Sequence, residues 1–132
     1  MNNVEIVKYI YEKFEHGDAQ SILTTFAPNV EFRLAEGHPY QPSGQPWFGK
    51  DDVMLHFLSR AGPEWDWSIA LAKVHDLGDT VVVEGRYKAL YKPTGKALDA
   101  QTCHVWKVKN GTVESFHQYA DTAQIQEVMT RN

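Results

Sequence analysis

Three side chains in this sequence have the chemistry of proton transfer or oxyanion support. Asp121 stands between a strand pattern and a terminal helix pattern. A carboxylate there can work as a general acid or base, or it can cap the helix by accepting from its first backbone N–H groups. His38 falls in a glycine- and proline-rich stretch and titrates near neutrality, so it can serve as a base if that stretch folds inward. Tyr87 lies mid-strand, where a phenol can donate to a developing oxyanion or simply satisfy its hydroxyl while its ring packs. Gln118 is its natural polar companion. A neutral amide orients a carbonyl or hydroxyl but takes up no proton, so its role is binding.

Several other chemistries lack their residues. The six histidines show no His-x-x-x-His or carboxylate-paired spacing, so no metal is expected. No phosphate-cradling glycine loop or serine-nucleophile elbow occurs, and no cofactor is expected. Acids and bases are interspersed at a net charge of −4 without a basic stripe, which argues against nucleic acid. The lone Cys103 cannot form an internal bridge and fits a reducing, cytoplasmic setting. Glu5 and Lys8 interrupt the N-terminal apolar residues, unlike a signal peptide. No apolar run approaches the ~18 residues of a membrane span.

The elements that must position these groups divide the chain in two. A length of 132 residues, with 42% apolar and 23% charged, predicts one domain over 1–132. Val4, Val7, Ile10, Tyr11 and Phe14 recur at helical spacing, and Asn2 with Glu5 forms a capping-box pattern. Gly17 ends this helix, and Asp18 caps a second, whose apolar face is Ile22, Leu23 and Phe26 and which Pro28 stops. A strand is expected over 30–34. The stretch 35–49 holds Gly37, Pro39, Pro42, Gly44, Pro46 and Gly49 and reads as a long loop, a length often associated with function. Val53, Met54, Phe57 and Leu58 mark a third helix closed by Gly62-Pro63. Strands follow over 65–76, 80–91 and 98–108, with turns at Gly78-Asp79, Pro93-Thr94-Gly95 and Asn110-Gly111. Another strand runs toward Asp121, and a short helix with Ile125, Val128 and Met129 on one side closes the chain.

Strand phase decides which residues face inward. Over 80–91 the apolar phase is Val81, Val83, Gly85, Tyr87 and Ala89. In the next strand Gln101, Cys103 and Val105 compete with Thr102, His104, Trp106 and Val108, and pattern alone leaves the choice open. In the last strand Phe116, Gln118 and Ala120 compete with Val113, Ser115, His117, Tyr119 and Asp121. Two buried faces, one on a pocket and one on a partner subunit, would account for both sets.

The chain resembles the SnoaL-like branch of the nuclear transport factor 2-like superfamily. The residues that carry this are Phe14-Glu15-His16-Gly17-Asp18, Ile22-Leu23, Phe26-Ala27-Pro28-Asn29-Val30-Glu31-Phe32, Pro42-x-Gly44 with Gly49, Pro93-Thr94-Gly95-Lys96, His104-Val105-Trp106, and Asn110-Gly111-x-Val113 leading to Tyr119-x-Asp121-Thr122. The resemblance implies an α+β fold: a cone-shaped barrel of bent antiparallel sheet, with the N-terminal helices enclosing a pocket. It also implies a homodimer through the outer sheet face. Relatives include ketosteroid isomerase, limonene epoxide hydrolase and polyketide cyclases.

Residue by residue, the isomerase base position looks like Phe32. Its oxyanion tyrosine falls near Ile10, beside Tyr11, and its protonated aspartate near Cys103. The epoxide hydrolase positions look like Gly85, Tyr87 and Gln118. The cyclase aspartate falls near Asp121, with Ala120 in the inward phase. Phe14, Phe32, Trp47, Phe57 and Phe116 are then expected as apolar lining, and Tyr11, Tyr40, Tyr87, Gln101, Cys103 and Gln118 as further ligand contacts. His104 and His117 are placed outward with Trp106 and Tyr119. Asp121, His38 and Tyr87 are the catalytic candidates. The function expected is binding of a small, largely apolar carbonyl or hydroxyl compound, with cofactor-free isomerase, cyclase or lyase chemistry by proton transfer. The alternative is a non-catalytic ligand-binding or protein-assembly module of the same fold.

Overall fold

The computed structural model describes residues 1–131. Helix α1 (Asn3–Glu15) begins with a reciprocal capping box: Glu5 N donates to the Asn2 side chain at 2.8 Å, and Asn2 N donates to Glu5 Oε1 at 2.9 Å. It buries Ile6, Val7, Ile10 and Tyr11. Asp18 caps α2 (Ala19–Leu23) by accepting from Ser21 N.

Strand β1 (Phe26–Arg33) starts four residues earlier than sequence suggests and absorbs Phe26 and Pro28, which were expected to complete and stop α2. Proline is tolerated because β1 pairs irregularly with its parallel neighbour between Phe26 and Glu31, so no ladder N–H is needed at position 28. Buried Gln41 closes the loop that follows. It accepts from Leu34 N at 2.8 Å and donates to Phe32 O at 3.2 Å.

A two-residue strand, β2 (Trp47–Phe48), leads into α3 (Lys50–Val53), a π-helical turn over Met54–Leu58, and α4 (Ser59–Glu64). Gly62-Pro63 therefore lies within the last helical turn rather than beyond it. The π turn buries Phe57 and Leu58.

The second half is a meander of β3 (Trp65–Asp76), β4 (Thr80–Tyr91), β5 (Lys96–Lys109) and β6 (Thr112–Ala120), then α5 (Thr122–Met129). Asn110 and Gly111, with φ of 53° and 78°, form the tight β5–β6 turn that their types call for. The strand order is β2-β1-β6-β5-β4-β3. The sheet curls over the N-terminal helices but does not close. One free edge is protected where Glu15 accepts from Ile69 N of β3 at 2.7 Å.

Register settles the inward faces. Val81 pairs with Trp106, Val83 with His104 and Tyr87 with Ala100. Directly paired residues of antiparallel strands share a face. The buried phase of β5 is accordingly Leu98, Ala100, Thr102, His104, Trp106 and Val108. This corrects the expectation that Gln101 and Cys103 point inward while His104 and Trp106 point outward. On β6 the inward phase is Phe116 and Gln118, with His117 and Tyr119 outward, as expected.

Candidate functional site

A cavity of about 50 Å³ lies between α1, the π turn and the inner face of the sheet. Water occupancy requires roughly 10–15 Å³ per molecule on this measure, so the space suits a few waters or a compact ligand. One wall is aromatic. Phe32 stacks on Phe116 at 4.5 Å between centroids, Trp106 tilts against Phe116 at 4.5 Å, and Phe57 meets Phe32 at 5.3 Å and Phe14 at 5.9 Å. Ile10, Ile22, Leu58 and Ile69 complete the apolar lining.

Beside this lining lies a buried hydrogen-bond network centred on His104, whose ring meets Phe116 at 4.9 Å between centroids. Its Nδ1 lies 2.6 Å from the Tyr11 hydroxyl and its Nε2 lies 2.5 Å from the Tyr87 hydroxyl. Trp106 Nε1 donates to the Tyr11 hydroxyl at 2.9 Å, and Gln118 Nε2 donates to the Tyr87 hydroxyl at 2.8 Å. Gln118 Oε1 accepts from Ala35 N at 3.2 Å, which fixes the amide's orientation. Thr102 Oγ1, 3.1 Å from His104 Nε2, donates to the Tyr119 carbonyl. The network joins β4, β5, β6 and α1, so these side chains hold one another in place.

No charge resides here near neutral pH. Burial pushes the His104 imidazolium down to about 3, so the ring is neutral. Burial likewise pushes the Tyr87 phenol up to about 12, against opposing hydrogen bonds from Thr102 and Gln118. It raises Tyr11 well above the ordinary phenol value, with the Trp106 hydrogen bond opposing. Among the described residues, no carboxylate, lysine or arginine lines the cavity.

The sequence-derived candidates divide accordingly. Tyr11, Phe14, Phe32, Phe57, Tyr87, Phe116 and Gln118 line the cavity together. Trp47 lies outside the lining, stacked against Phe32 at 6.2 Å and His56 at 5.5 Å. Tyr40 also lies outside. It donates to Glu64 and accepts from Trp65 Nε1, with the Arg60 guanidinium 4.1 Å above its ring.

His38 is buried rather than exposed, but its Nδ1 accepts from Tyr40 N at 3.1 Å in the loop, away from the cavity. Burial first, then Arg60, lowers its imidazolium to about 4. Asp121 is exposed and caps α5 by accepting from Gln124 N at 3.1 Å. Asp121 shares an open hollow on the outer face of the sheet with Gln101, Cys103 and Tyr119. Burial and Glu84 raise the Cys103 thiol, so it is not an activated thiolate.

Inward phase alone did not single out His104, Thr102 and Trp106. The β4–β5 hairpin held the missing signal. Pairing Tyr91 with Lys96 across Pro93-Thr94-Gly95 carries His104 opposite Val83, on the buried face.

Comparisons with known proteins agree with this architecture. No curated protein matches the chain. An NTF2-like protein from Burkholderia thailandensis is 30% identical over 98% of both chains, with a TM-score of 0.85. TerC, co-crystallised with polyporic acid, is 24% identical over 96% of each chain, with a TM-score of 0.82. A protein of ketosteroid isomerase-like fold from Catenulispora acidiphila, in complex with trimethylamine, is 14% identical over 100% of this chain and 96% of its own, with a TM-score of 0.80. The last two are similar in fold alone. A family model for the SnoaL-like domain matches residues 7–116, and the chain belongs to that family.

Proposed function

We propose that this SnoaL-like protein binds a compact, largely apolar molecule whose single oxygen, carbonyl or hydroxyl, meets the Tyr11–His104–Tyr87–Gln118 wall. The observation that carries the reading is a cavity lined by an uncharged, buried hydrogen-bond network and by aromatic rings. Pockets of this kind bind through apolar contact and take orientation from a few fixed polar groups. The small molecules named with two fold relatives, polyporic acid and trimethylamine, are consistent with a ligand-holding role.

A second reading is cofactor-free proton transfer on that ligand. It is favoured by the placement of two phenols on one neutral imidazole, which can pass a proton along the chain. Its weakness is the base. An imidazole whose conjugate acid sits at about 3 accepts protons poorly at neutral pH, and efficient general bases lie close to working pH. Binding without turnover is therefore the preferred reading.

The outer face of β3–β6 is a proposed homodimer surface. Half-buried Val82, Cys103, Val105 and His117 surround Tyr119, which is 52% exposed, and exposed apolar surface of this kind commonly marks an interface.

Native mass spectrometry of the purified protein tests both proposals at once. The expected species is a dimer retaining a small molecule, or one that takes up cyclopentanone with a saturable change in tryptophan fluorescence. A monomer that neither retains nor takes up a ligand would overturn the reading.

A further inference from the structure

The polar wall holds more hydrogens than its central contacts can use, and the excess has a direction. Tyr11, His104 and Tyr87 bring one hydrogen each, because a neutral imidazole carries one N–H and one bare nitrogen. Two contacts join them, Tyr11 to Nδ1 and Tyr87 to Nε2. One hydrogen always stands outside.

Suppose the ring hydrogen is on Nδ1. It then points at the Tyr11 oxygen, which already accepts from Trp106 Nε1. The Tyr11 hydrogen is displaced, and among the described residues it has no third polar partner. Suppose instead that it is on Nε2. Tyr11 then donates to Nδ1 and accepts from Trp106, and is complete. Tyr87 accepts from His104 and from Gln118, and its own hydrogen is left over. Thr102 favours this second arrangement, since its hydroxyl passes its own hydrogen to the Tyr119 carbonyl and its oxygen, 3.1 Å from Nε2, can then accept from an Nε2–H. The first arrangement strands the Tyr11 hydrogen and sets the Thr102 oxygen against a bare nitrogen, whereas the second leaves one unused hydrogen, on Tyr87, which lines the cavity.

We propose that His104 rests as the Nε2–H tautomer and thereby makes Tyr87 the one hydroxyl able to turn its hydrogen onto a ligand, so that the cavity favours a ketone or aldehyde carbonyl over an apolar group of the same shape. This rests on the binding reading above and names the group that meets the ligand's oxygen. A carbonyl accepts from Tyr87 and brings no hydrogen of its own to be placed in a buried site.

The proton placement is read directly on the full chain with ¹⁵N-labelled histidine by long-range ¹H–¹⁵N NMR. His104 should appear with a protonated Nε2 and a bare Nδ1; the opposite tautomer overturns the proposal. Cyclopentanone and methylenecyclopentane, which share one ring size, then report selectivity. The ketone should bind about tenfold tighter than the alkene, as one well-placed hydrogen bond implies.

That preference should vanish in Tyr87→Phe and persist in Tyr11→Phe, and the reverse pattern overturns the proposal. Should either variant fail to fold, Thr102→Val replaces it. Removing the oxygen that meets Nε2–H should populate the other tautomer and weaken the ketone preference, and an unchanged preference counts against the proposal. If no ring compound binds, the binding reading and the ligand selectivity fail together, while the tautomer spectrum still decides the resting state of His104.

Discussion

The hydroxyl of Tyr11 lies 2.6 Å from His104 Nδ1, and the two rings are nearly parallel, 9° apart at a centroid distance of 5.7 Å. The residues are 93 positions apart in sequence. One sits on the helix that roofs the cavity and the other on a central strand of its floor. The pair therefore fixes the height of the cavity as well as its chemistry. Trp106, set edge-on to Tyr11 at 85°, braces the same phenol from the next inward position of β5.

Removing the Tyr11 hydroxyl should cost stability out of proportion to its size. Tyr11→Phe leaves Trp106 Nε1 without an acceptor and His104 Nδ1 without a partner, both buried. The expected loss is about 1–3 kcal/mol, the cost of an orphaned buried polar group. Urea unfolding measures it. A cycle with Trp106→Phe should return a coupling of about 0.5–3 kcal/mol, and additive effects would mean that the two side chains act independently.

Acid should destabilise the fold through two histidines. In the unfolded chain a histidine titrates near 6.5, whereas folding holds His104 to about 3 and His38 to about 4. Below pH 6.5 the unfolded state binds more protons, so stability rises with pH. The stabilising contribution is complete above 6.5. It is lost as pH falls toward 4, at about 1.4 kcal/mol per pH unit for each histidine. His104→Gln should lower the slope of unfolding free energy against pH by one proton, whatever its effect on stability at pH 7. An unchanged slope between pH 6 and 4.5 would show that His104 is not held neutral.

Asp121 should behave as a cap. Its side chain accepts from Gln124 N and stands in solvent, so Asp121→Ala should cost about 0.5–2 kcal/mol through fraying of α5. Ligand affinity should stay at the wild-type value. Asp121→Asn, which keeps an accepting oxygen, should recover most of the stability. A loss of binding without a loss of stability would place the carboxylate in ligand contact instead.

Much of this architecture was legible because single residues left little choice. Asn2 and Glu5 could form one kind of box, Asn110-Gly111 one kind of turn, and β4 could bury Val81 and Val83 or else Glu84, Arg86 and Lys88. β5 was ambiguous because its inward phase includes Thr102 and His104, whose cross-strand partners are the Tyr119 carbonyl and the Tyr87 hydroxyl. A rule that weighs apolar burial sees Cys103 and Val105 as equally good inward residues. The network that makes His104 acceptable involves Tyr11, Tyr87 and Gln118, which come together only once three strands and a helix are in register. The cap role of Asp121, which accepts from Gln124 N, was legible from its residue type and its place before the helix pattern, whereas the bond from Tyr40 N to His38 leaves little trace in residue type.

Gly85 tests whether the bend of the sheet is required. A Cβ at this position would lie 2.7 Å from the Ala70 carbonyl oxygen, a backbone atom that cannot swing aside. The close approach coincides with the irregularity between Leu71 and Lys73, where β3 shifts register against β4. Two residues along β4, Tyr87 points its hydroxyl into the polar wall, so displacing the strand displaces the site. Gly85→Ala should therefore destabilise by about 1–3 kcal/mol, as overpacking against an unyielding neighbour does. It should also weaken ligand binding even under conditions where the variant is fully folded. Gly85→Ala at wild-type stability and affinity would mean that β3 yields, and that the bend at Leu71–Lys73 does not fix where Tyr87 stands.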